Sequence, residues 1–174
     1  MARFTDIASS DTRVKALLKA LRQGTYHIDL DGLEREIDSL HLTRMVRSLK
    51  TEEVMQSFQK KFITAALQNQ AFRSRLVEIK VKCFRVSAKL EEHIGVVRSY
   101  LGIKYPNGLS KYRTVAERKQ AINSILEEPM TFLSKLELKD RELELIIKDL
   151  DAAAWSLKGI MEAMAYNKDN STKF

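Results

Sequence analysis

Three histidines and one cysteine are the side chains of this 174-residue chain best suited to metal or nucleophilic chemistry, and their spacing supports neither. His27, His41 and His93 lie far apart, and none stands at i, i+4 from another histidine or from Cys83. Zinc needs ligands that a helix or turn brings to one side, and a Cys–His nucleophile needs its base within hydrogen-bond reach. No glycine-rich loop is present to cradle a phosphate. Paired carboxylates such as Asp149 with Asp151, or Glu142 with Glu144, are two apart and diverge on a helix, as a solvated face does. The expectation is a protein that is not an enzyme and uses no metal or cofactor.

Cations are better placed than catalytic groups. At about 100° per residue, Arg75, Lys82, Arg85 and Lys89 fall on one flank of a helical apolar stripe, and Arg73 and Lys80 on the other. Glu78 is the only acid between Arg73 and Lys89. A little further on, Tyr100, Lys104, Tyr105, Lys111, Tyr112 and Arg113 interleave rings with charges. Cations that release counterions from phosphates, with faces on which bases stack, are what a single strand requires. The same pattern also suits solubilising charges beside a helix seam, paired with an acidic neighbour, and tyrosines that simply pack.

Charge distribution points the same way. Residues 1–113 hold 21 Lys and Arg against 12 Asp and Glu, a net +9, whereas residues 114–174 hold 9 against 11, a net −2. Such an excess is the electrostatic footprint of a polyanion partner.

The elements that must position these groups are helices. Two prolines and six glycines leave long uninterrupted segments, which excludes a many-stranded sheet. The spacing predicts an all-α fold of long antiparallel helices, a bundle or coiled-coil hairpin. Residues 1–50 would form amino-terminal helices and residues 51–174 the hairpin and a heptad helix, the whole also being compatible with one domain. A first helix is expected from about Asp11 to Arg22, capped by Ser10 and ended by Gly24, with Val14, Leu17, Leu18 and Leu21 on one face. A second starts near Asp29 or Asp31 and turns Leu33, Ile37, Leu40, Met45, Val46 and Leu49 inward.

From Thr51 to Leu101 no proline intervenes, so one long helix, or two meeting near Gln68 to Gln70, is predicted. Leu76, Ile79, Cys83, Val86, Leu90, Ile94, Val97 and Leu101 recur every three or four residues, the period of an apolar seam. Cys83 is therefore read as a packing residue. Gly102 would then cap the helix, with Asn107-Gly108 as a turn. Thr114 to Glu117 matches a capping box, and Pro129 interrupts the helix that this box opens. In the last helix Leu136, Leu143, Leu150, Leu157 and Met164 repeat every seven residues, with Ile147, Ala154 and Met161 at the second seam position. Leu136, Leu143, Ile147, Leu150, Leu157, Met161 and Met164 are thus the candidate residues for self-association into a homo-oligomer. Asn167 to Phe174 reads as a fraying polar tail.

Arg3, Asp6, Asp11, Arg13, Lys15 and Lys19 break up any apolar run near the start, and no stretch has the roughly 18 apolar residues of a membrane span. The lone Cys83 forms no internal disulfide. A cytoplasmic protein, not integral to a membrane, is expected.

A basic helix ending in Arg98-Ser-Tyr-Leu-Gly102, a turn-rich connection, Ile125-Leu126, and a heptad helix with Asp149, Ala152 and Leu157-Lys158 together resemble phage recombination mediator proteins of the UvsY type. The likeness runs from about Ile28-Asp29 to Met164. It implies single-stranded DNA bound by a closed ring of identical subunits, displacement of single-strand-binding protein, loading of a RecA-like recombinase, and no catalytic residues. The family carries a basic pair just before the helix-ending tyrosine, where Ile94-Gly95-Val96-Val97 stand here, so the contacts shift toward Arg85, Lys89 and the loop. The candidate nucleic-acid residues are then Arg73, Arg75, Lys80, Lys82, Arg85, Lys89, Arg98, Lys104, Tyr105, Lys111, Tyr112 and Arg113. The alternatives are a helical structural or adaptor protein that oligomerises through its heptads, and a small subunit of a nucleoprotein machine that meets duplex or RNA.

Overall fold

A computed structural model describes residues 4–42 and 51–171; for 41, 42, 51–62, 164, 165 and 167–171 it describes the backbone alone. The fold is all-α, with no strand among the described residues. The described residues form, in order, the helices α1 (Phe4–Ser9), α2 (Thr12–Gln23), α3 (Leu30–Leu42), α4 (Thr51–Lys104), α5 (Pro106–Leu109), α6 (Val115–Ile125) and α7 (Glu127–Ser171). They group into two compact units, Met1–Ile28 with Val81–Asp140, and Asp29–Lys80 with Arg141–Phe174.

In the first unit the cap of α2 is Asp11 rather than Ser10. Its extended backbone lets the carboxylate accept from Arg13 N at 2.8 Å, while the Ser10 hydroxyl turns back to donate to Ile7 O. Gly24 is the C-cap of α2: Gly24 N and Tyr26 N both donate to Ala20 O, and a Cβ at this position would sit 2.9 Å from Ala20 Cα. Val14, Leu17 and Leu21 of α2 are buried with Phe4, Ala8, Tyr26, Leu109, Ala121, Ile122 and Leu126 against Leu90, Ile94, Val97 and Leu101 of α4. Each Val, Leu, Ile or Phe side chain so removed from water contributes about 1.5–3 kcal/mol. The eight-residue seam expected in α4 is buried apart from Val86, which is half-buried, and Cys83 is sealed within it.

Gly102 does not cap α4. The helix continues to Lys104 and stops before Pro106, whose ring bars the preceding Tyr105 from helical geometry (φ −117°, ψ 50°). Nor is Asn107-Gly108 a hairpin turn; it lies within α5, and no glycine of the described residues has positive φ. Gly108 is needed for space, since a Cβ would come within 2.9 Å of the Phe4 ring. The capping box forms as expected, Glu117 N donating to Thr114 Oγ1 and Thr114 N to Glu117 Oε2, both at 3.1 Å. The break between α6 and α7 falls at Leu126, ahead of Pro129, which sits in the first turn of α7 where a missing N–H costs nothing. The backbone of α7 stays helical to Ser171, through most of the stretch expected to fray.

The second unit buries Leu33 and Ile37 of α3, Ala65, Leu76 and Ile79 of α4, and Leu143 and Leu150 of α7. Met45, Val46 and Leu49 lie outside the described residues. In this same seam Asn69 is only 5% exposed, and its Nδ2 has no hydrogen-bond partner. It borders a cavity of about 230 Å³ whose apolar wall is Ala66, Leu150, Ala154, Leu157 and Met161, with Gln70, Arg73, Asp151 and Lys158 completing the lining. A buried amide left unpaired costs about 1–3 kcal/mol. Asn69→Leu is therefore expected to raise stability by about 1–2 kcal/mol, since the amide penalty goes and apolar area is gained; chemical denaturation checks it, and an unchanged or lowered midpoint would refute it.

Candidate nucleic-acid interface

Of the cations that the sequence aligns along α4, the structure divides one set from another. Arg73 donates from Nε and Nη2 to Asp151, which holds the guanidinium above and the carboxyl below their ordinary pKa values. Lys80 reaches Glu144 at 3.4 Å. Arg75 donates to Glu36 at 2.6 Å and to Glu78 at 3.0 Å, and the carboxylates, Glu36 foremost, raise its pKa. These three are held by acids of their own unit.

Lys82, Arg85 and Lys89 are exposed, and none makes an ion pair among the described residues. They stand at i, i+3 and i+7, so one row of α4 carries three like charges over about 10 Å of helix axis. Such spacing disfavours an isolated helix by a few tenths of a kcal/mol per pair. Arg98 is different again: it is half-buried, its Nη2 lies 3.6 Å from Met130 Sδ, and its Nε is buried without a partner.

The ring-and-cation segment, which begins in the last turn of α4 and runs past it, is largely folded inward. Its centre is the Asp11 carboxylate, whose side chain is 1% exposed. Lys104 Nζ donates to Asp11 Oδ2 at 2.7 Å, Tyr105 Oη at 2.8 Å and Tyr100 Oη at 3.4 Å. The Lys104 hydrogen bond is the main reason that the Asp11 pKa falls to about 2, and the same bond raises Lys104. Lys104 lies over the Tyr100 and Tyr105 rings, and the Arg13 guanidinium lies 4.0 Å from the Tyr100 centroid. Tyr105 and Tyr112 both meet the Phe4 ring edge-on, with centroids 6.1 and 6.3 Å away. Lys104, Tyr105 and Tyr112 are thus engaged in packing the first residues of the unit, and they do not form an open stacking surface. Lys111 and Arg113 are exposed.

One ring was missed by counting charges. Phe84 is 62% exposed on α4, next to half-covered Val81, on the side facing away from the Cys83 and Leu90 seam. Its position outside the three-four repeat was the available signal.

The heptad residues of α7 also divide. Leu136, Leu143 and Leu150 are buried within the chain, Ile147 and Leu157 are half-buried, and Met161 is exposed; the Met164 side chain is outside the described residues. Leu145, Ile160 and the only tryptophan, Trp155, also face outward from α7, with Lys158 Nζ 5.3 Å from the Trp155 centroid.

The described residues hold no cluster of three or more His, Cys, Asp or Glu able to bind a metal, and none of their helices is long and apolar enough to cross a membrane. Burial pushes the Cys83 thiol pKa up, away from nucleophilic character. His93 Nδ1 and the Tyr26 hydroxyl form a part-buried hydrogen bond of 3.0 Å within the first unit. No protein-family model matches this sequence, and no curated protein or solved structure matches it.

Proposed function

We propose that this chain is a single-stranded DNA-binding recombination mediator that acts by binding and assembly rather than by catalysis. The observation that carries this reading is the row Lys82, Arg85 and Lys89, exposed and without ion pairs among the described residues while its neighbours Arg73, Arg75 and Lys80 are matched by acids. A row of like charges weakens the helix that bears it unless a polyanion neutralises it. The UvsY-type resemblance supplies the rest: loading of a RecA-like recombinase against a single-strand-binding protein, by an assembly of identical subunits. In this reading α4 and α7 of the second unit form an antiparallel hairpin, supported by ion pairs that step in opposite directions along them, Arg73 to Asp151 and Lys80 to Glu144.

Titration of a labelled single-stranded oligonucleotide at several salt concentrations tests the reading. The expected result is an affinity that falls linearly on a log–log salt scale and exceeds that for matched duplex or RNA. Absence of salt-sensitive binding overturns it. That outcome would leave the second reading, a helical adaptor that self-associates, which the outward-facing Leu145, Trp155, Ile160 and Met161 of α7 favour. With Leu136, Leu143 and Leu150 already buried in their own chain, self-association draws on this outer face.

A further inference from the structure

A mediator that holds a single strand needs a surface for bases as well as for phosphates, and the tyrosines that the sequence offers are turned onto Asp11 and Phe4. We infer that Phe84 is the base-stacking residue of the strand-binding face, with Val81 beside it and Lys82, Arg85 and Lys89 taking the phosphates. The inference rests on the single-strand reading given above and deepens it.

Three observations support it. The Phe84 ring is 62% exposed and makes no ring contact among the described residues, so most of it is accessible to a ligand. Val81 stands at i−3 from Phe84 and at i−4 from Arg85, so an apolar ridge and a cationic ridge run side by side on one helix. All of these residues belong to the part of α4 that lies in the first unit, where Cys83 and Leu90 on the seam side are buried. A single exposed apolar residue needs no explanation by itself. An exposed ring flanked by three cations, with no acid paired to them among the described residues, matches a chain that presents a negative backbone and flat apolar bases. An acidic amphipathic helix or an anionic lipid surface offers negative charge without the flat bases, and both enter as outcomes of the test.

The experiment compares oligo-dT with an abasic strand of equal length, in the full chain and at two salt concentrations. Phe84→Ala is expected to weaken oligo-dT binding about 10-fold or more while leaving abasic-strand binding unchanged. Phe84→Trp in a Trp155→Phe background should restore oligo-dT affinity and show fluorescence quenching on binding. Equal losses on both strands, or no loss on oligo-dT, overturn the stacking role while the single-strand reading survives. If the unaltered chain binds neither strand, the reading and the inference fall together. A Phe84→Ala defect confined to anionic vesicles or to an acidic helical peptide assigns the face to that partner and refutes the inference.

Discussion

Changing Lys82, Arg85 and Lys89 together to glutamate is expected to lower single-strand affinity by at least about 100-fold near physiological salt and to flatten the salt dependence. Every single-strand phosphate that is no longer neutralised reduces the log–log slope by about 0.7, so three should remove about 2. The change is unusually clean because no ion pair among the described residues is broken, all three side chains are exposed, and one row of like charges replaces another. Far-ultraviolet circular dichroism and the melting midpoint should therefore match the parent protein. A contrasting pair, Arg73→Glu with Lys80→Glu, confronts Asp151 and Glu144 with like charge. Its main loss should be in stability. A triple variant that binds as the parent does would sink the proposed function.

Asp11→Ala should cost about 2–4 kcal/mol of stability, from the lost helix cap and from the donors of Lys104 and Tyr105 left without their acceptor. Asp11→Asn keeps an oxygen for Arg13 N and should cost less. The pH dependence has a definite sign. The folded-state pKa of Asp11 is about 2, below the usual 3.8, so the carboxylate stabilises the fold above about pH 4 and that contribution disappears as pH falls toward 2. Asp11→Asn should therefore lose less stability than the parent between pH 4 and 2. Equal pH slopes for parent and Asp11→Asn in denaturant titrations would contradict the assignment. Lys104 works in the opposite range: its raised pKa keeps its contribution intact below the ordinary lysine value, and the contribution fades only above it.

Residue spacing made the long seam of α4 legible because one physical cause, burial of one face, repeats every three to four residues from Leu76 to Leu101. The stop of α4 was harder to read, since glycine and proline both signal ends. Here Leu101 packing carries the helix over Gly102, and the stop comes where Pro106 removes helical geometry from Tyr105. Helix α1 has too few residues for a periodic pattern, and the Phe4 contacts with Tyr105, Tyr112 and Gly108 that accompany it lie about a hundred residues away in the chain. The candidate site divides for the same reason. Position on a helical wheel placed six cations on two flanks, but which of them meet acids depended on Glu36, Asp151 and Glu144, residues distant in sequence. Outward-facing Phe84 was legible in principle, as an apolar residue out of register with its own seam.

Both compact units are assembled from two separated stretches of chain. On a ribosome neither unit can then be completed from one continuous stretch of chain. Val14, Leu17 and Leu21 emerge early, yet their partners Leu90, Ile94 and Val97 come only after the stretch that belongs to the other unit. The nascent amphipathic α2 must wait with its apolar face uncovered, and Leu33 and Ile37 wait longer still for the unit completed by α7.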